Sequence, residues 1–177
     1  MTDWNQINIL EEANQDKQAF LLLKKAWTES GPNLPLAVRL GFLCWYALVE
    51  WGCSKPADAA EEDYDSFEST LQEVTKQGMR CFAGDPGFLW FFGYAITLFP
   101  YHFGDYEEWH AIGSRMLLQA HRLRPHDPFI EMLYWGSQPS SSAAYAVARS
   151  KAALTAKERF AGGGRFQRYF LDLVCRM

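Results

Sequence analysis

The chain has 177 residues, with 17 Lys and Arg against 21 Asp and Glu for a formal net charge of -4; 49% of its residues are hydrophobic and 16% aromatic. That much apolar side chain excludes a disordered chain, and the length suits one globular domain. The mild acidity speaks against a general nucleic-acid binder, which carries a basic face and a high pI.

The first six residues, Met1 to Gln6, are polar and lack a basic stretch leading into an apolar run, so the expectation is a cytoplasmic protein without a secretory signal. From Gln15 to Thr28, apolar residues Ala19, Phe20, Leu22, Leu23, Ala26 and Trp27 recur at three- and four-residue steps, which predicts an amphipathic helix. Residues 30–33 break it. Residues 35–51 are apolar almost all round, with only Arg39 and Glu50 charged, and predict the central helix of a bundle. Residues 58–82 predict a longer amphipathic helix with an acidic first half and a stripe of Tyr64, Phe67, Leu71, Val74 and Met79.

Asp85-Pro86 then reads as an N-cap followed by a first-turn proline. Residues 88–99 form the longest uncharged apolar run, which stops at Pro100, short of the roughly 20 residues that span a bilayer, and predict a buried core helix. An aromatic loop at 100–104 leads to a helix over 105–123. Asp127-Pro128 starts a short helix through Trp135, and the serine-rich residues 136–142 form a connector. An Ala-rich helix over 143–160, a turn at Gly162-Gly163-Gly164 and a closing helix over 166–174 complete the chain. Alternating patterns bounded by turns are missing, so the fold class expected is all-α: about eight helices in antiparallel hairpins, one domain over residues 1–177. The four cysteines, Cys44, Cys53, Cys81 and Cys175, show neither disulfide nor zinc spacing and are expected to be reduced and buried.

Two resemblances follow. Leu89-x-x-Phe92-Gly93-x-x-Ile96, with Gly113-x-x-x-Leu117-x-x-Ala120 and Pro125, resembles the paired-helix pattern of tetratricopeptide repeats, in which small residues let two helices approach closely. The segments Pro35-Leu36-Ala37-Val38-Arg39-Leu40 running into Trp45-Tyr46, and Phe88 to Tyr94 ending at Pro100, give the chain a likeness to the small all-helical immunity proteins of bacterial contact-dependent growth inhibition systems. That likeness implies a noncatalytic, cytoplasmic protein that covers a cognate toxin domain, often a nuclease. The tetratricopeptide-like pattern implies the alternative, an adaptor or chaperone holding a peptide in a helical groove.

Charge is unevenly placed. Between residues 50 and 73, eight acids (Glu50, Asp58, Glu61, Glu62, Asp63, Asp65, Glu68 and Glu73) face Lys55 alone. From residue 146 onward, Arg149, Lys151, Lys157, Arg159, Arg165, Arg168 and Arg176 outnumber Glu158 and Asp172. Helix-dipole complementarity accounts for acids in a first turn but not for those further along. The partner-binding residues expected are therefore Asp58, Glu61, Glu62, Asp63, Asp65 and Glu68, steering a basic protein. They are joined by the aromatic loop, Tyr101, His102, Phe103 and Tyr106 with Asp105, Glu107 and Glu108, which combines ring anchors with a charged rim.

Glu107-x-x-His110 has the spacing of one half of a di-iron site, but no second such pair occurs, so no metal is expected. The glycine run lacks the Lys-Ser/Thr of a phosphate loop, and no nucleophile elbow appears. The expectation is a noncatalytic protein with no cofactor, a protein partner, and no direct contact with nucleic acid or membrane.

Overall fold

The computed structural model describes residues 2–175. Among these residues every regular element is helical: α1 (Trp4–Glu12), α2 (Asp16–Ser30), α3 (Leu34–Ser54), α4 (Tyr64–Cys81), α5 (Pro86–Leu98), α6 (Tyr106–Leu123), α7 (Pro128–Gly136), α8 (Ser142–Arg159) and α9 (Arg165–Cys175). Short 3-10 turns at Glu61–Asp63 and Pro100–His102 lead into α4 and toward α6. The polar punctuation of the sequence sets the helix starts. Asp85 Oδ1 accepts from the backbone N–H of Gly87 (2.7 Å) and Phe88 (3.2 Å), and Asp127 Oδ1 does the same for Phe129 and Ile130, each cap followed by a first-turn proline.

Helices α3 and α4, α5 and α6, and α7 and α8 pair antiparallel. In α5/α6, Gly93 faces Leu117 while Gly113 faces Ile96. A Cβ at Gly93 would lie 3.0 Å from Leu117 Cγ, and one at Gly113 2.8 Å from Ile96 Cγ2, so the two glycines set how closely these helices approach. In α7/α8, Phe129 meets Phe160 (5.0 Å between ring centroids) near one end, and Gly136 meets Tyr145 near the other. Hairpins α3/α4, α5/α6 and α7/α8 stack side by side, with α1 and α2 preceding them. The buried apolar residues form one continuous core from Ile7 to Val174.

Helix α9 lies across α3, α5 and α7, the first helix of each of these three hairpins. Its Phe166 packs edge-on against Phe42 (5.1 Å). Its fully buried Phe170 meets Trp90 (4.9 Å), Tyr94 (5.6 Å), Phe129 (5.9 Å) and Phe160 (5.8 Å). The chain reaches this position through Gly162, Gly163 and Gly164, whose φ values of 111°, 72° and 90° are open to glycine and costly to other residues. A buried polar cluster ties α9 to the N-terminal helices. Arg39 donates to Asn8 Oδ1 (2.5 Å), Glu11 Oε2 (2.7 Å) and Gln167 Oε1 (3.4 Å), while Arg165 donates to Asp16 Oδ2 (2.5 Å) and to the Glu11 carbonyl. Burial pushes the Glu11 and Asp16 carboxyls above their ordinary values even against the adjacent arginines.

The expected all-α class holds, with nine α-helices among the described residues, and several finer expectations are revised. The helix beyond those expected is α1, capped by Asp3 and only nine residues long; its inward stripe of Ile7 and Leu10 is joined by the buried Glu11, whose charge hides the apolar periodicity. The acidic residues 58–63 lie before α4 rather than in its first turns: residues 57–58 form a turn, Glu61–Asp63 the 3-10 turn, and α4 starts at Tyr64. The cysteines are free, but Cys53, Cys81 and Cys175 are exposed and Cys44 alone is buried, where desolvation drives its thiol far above the ordinary range. Helix α3 is long and apolar enough by length and composition to cross a bilayer, yet 61% of its most apolar stretch is buried inside the molecule, where it forms the central helix.

Candidate partner interface

The two segments singled out by sequence come together in space. His102 Nδ1 lies 3.1 Å from Glu68 Oε1, and Gln72 Nε2 donates to the His102 carbonyl (3.1 Å), so the first turns of α4 hold the aromatic turn against them. The Tyr64 ring lies tilted against His102 (6.4 Å between centroids), and Tyr101 packs tilted on the same imidazole (4.5 Å). The turn continues directly into α6, whose N-cap Asp105 accepts from the Glu108 N–H (3.0 Å). An acidic first half of one helix and an acidic first turn of another thus meet around one aromatic turn.

The thirteen candidate side chains divide by what they touch. His102 and Phe103 are buried, and Phe103 packs on Trp109 (5.8 Å), so these two rings support the turn from within. Tyr101 and Tyr106 are 55% and 54% exposed, a large share for rings that otherwise fill this core, and they are the aromatic groups available to a partner. Besides Glu68 and Asp105, three acids serve internal contacts. Asp58 accepts from the N–H groups of Lys17 (3.0 Å) and Gln18 (2.9 Å), capping α2 from 40 residues away in sequence. Asp63 pairs with Lys17 (2.9 Å) and accepts from the Ala60 N–H, and these hydrogen bonds, Lys17's first, hold its carboxyl below the ordinary value. Glu61 accepts from Lys55 (2.7 Å) and the Trp51 indole (3.1 Å), which likewise lower its carboxyl.

Glu62, Asp65, Glu107 and Glu108 are exposed and make no side-chain hydrogen bond or ion pair among the described residues. They form the open charge of this corner. The basic C-terminal part of the chain does not neutralise it, because its partners lie elsewhere. Arg159 pairs with Asp127 (2.7 Å), Arg165 with Asp16 (2.5 Å) and Arg168 with Glu12 (3.2 Å), while Arg149 donates to the Val174 carbonyl (3.0 Å). Arg176 lies outside the described residues. The cation that the Glu50–Glu73 stretch does attract is lysine, Lys17 and Lys55. The internal use of Asp58 and Asp63 follows from the fold of the N-terminal helices, and no local sequence pattern carries that information.

The arrangement presents carboxylates and phenols rather than a nucleophile with a base, and no group of three or more His, Cys, Asp or Glu suited to holding a metal ion occurs among the described residues. Compared with known proteins, the chain matches no family model, no curated protein and no solved structure.

Proposed function

We propose that this is an immunity protein, which binds a basic toxin domain of nuclease type and covers its active site with the corner built from the α4 start, the 100–104 turn and the α6 start. The observation that carries the reading is the contact of Glu68 with His102, which joins the acidic and aromatic segments into one surface. Two exposed tyrosines supply rigid ring anchors, and Glu62, Asp65, Glu107 and Glu108 supply the charge that a nucleic-acid-binding cleft attracts. Opposed potentials of this kind raise association rates by about 10- to 1,000-fold at low salt.

The adaptor reading requires an open groove along the first helices of the hairpins. That face is filled by α9, which favours an outer surface for the partner. Co-expression with the C-terminal domain encoded beside this chain tests the proposal: rescue of growth and co-purification are expected. A toxic neighbouring domain that is neither rescued nor co-purified overturns it.

A further inference from the structure

A cleft of about 620 Å³ opens between the C-terminal ends of α5 and α7, the 136–142 connector, α8 and the end of α9. Its size is that of sites for small organic ligands, roughly 300–1,000 Å³. Its lining, which includes His110 of α6, holds no Asp, Glu, Lys or Arg, in a chain of which 21% is charged and whose cleft beside α1 is edged by Glu11, Glu12, Arg165, Arg168 and Asp172. Aromatic walls come from Tyr94, Trp135 and Tyr145, and hydrogen-bonding edges from Thr97, Ser137 and Gln138.

The walls are fixed in place. Tyr94 Oη and Tyr169 Oη share a hydrogen bond of 2.7 Å, which leaves acceptor capacity on the pair, and Tyr145 carries a third phenol beside them. The connector is held from inside: Ser137 Oγ donates to the Tyr134 carbonyl (2.7 Å), Ser141 Oγ to the carbonyls of Trp135 and Gln138, and Gln138 Nε2 to Ser137 Oγ (3.0 Å). Ser140, on the same wall, has φ of +63°, a conformation that costs a non-glycine residue of order 1 kcal/mol and is concentrated at ligand sites. An ionised ligand entering this lining would lose hydration with no Asp, Glu, Lys or Arg to pair with it, whereas a flat neutral ring can stack on the walls and place hydroxyl or amide groups at the edges.

We infer that the cleft is a second binding site, taking an uncharged ring compound that bears hydroxyl or amide groups. The inference is independent of the partner interface. Protein NMR on the full chain tests it with three matched probes, benzamide, benzoate and benzylammonium, and with uridine and methyl β-glucoside to separate a base-like ring from a pyranose. At least one neutral probe is expected to give saturable shifts at the Trp135 indole N–H, at least fivefold tighter than either charged probe. The response should be lost in Tyr145→Ala, which removes a wall, and in Ser142→Trp, an exposed site where the new side chain fills the mouth. Silence at Trp135 with every neutral probe, equal response to a charged one, or retention of binding in a folded Ser142→Trp protein overturns the inference.

Discussion

Glu11 holds a carboxyl almost wholly out of water, 1% exposed, against Arg39 at 2.7 Å. Burial raises its folded pKa, so between the ordinary carboxylate value and the raised one the folded protein binds more protons than the unfolded chain. Its contribution to stability therefore falls as pH rises through that window and is level above it. Glu11→Gln should flatten this part of the stability–pH curve in urea melts, because the amide does not titrate. An unchanged slope would contradict the assignment. Gly113 makes a second residue-scale claim. Gly113→Ala must displace Ile96 and should cost about 1–3 kcal/mol in thermal melts, while Gly84→Ala, with open space around the added carbon, should change stability by less than about 0.5 kcal/mol.

Among the elements, the helices with strong local signals were legible. The caps Asp85 and Asp127 with their prolines lie where the sequence places them, and the small residues Gly93 and Gly113 do bring α5 and α6 close. Asp85→Ala should cost about 1 kcal/mol through the loss of two N–H partners at the start of α5. The illegible parts were those decided by tertiary contact. Nothing local reveals that Asp58 caps α2, or that α9 spans the three hairpins as their shared inner layer. Because Phe170 touches rings from α5, from α7 and from Phe160, which follows α8, Phe170→Ala should lower stability by about 3–5 kcal/mol, measured by denaturant unfolding. A loss below about 1 kcal/mol would show that α9 is a peripheral helix.

For the whole molecule, the net charge of -4 conceals two opposed segments whose ion pairs, among the described residues, lie elsewhere than with each other. Arg159, Arg165 and Arg168 pair with Asp127, Asp16 and Glu12, so these cations leave the acidic corner open. The imbalance was legible in the sequence; the division of its acids into internal and open ones was not, because it depends on where Lys17, Lys55 and the α2 N-terminus lie in the fold. The central claim is that the open acids bind the partner. Its most direct test is calorimetric titration of the proposed partner, the C-terminal domain encoded beside this chain, with the Glu62→Lys/Asp65→Lys/Glu107→Lys protein, its fold verified by circular dichroism. The predicted result is at least a hundredfold loss of affinity, alongside parent binding that weakens as salt rises. Parent-like affinity in the folded triple variant would contradict the account.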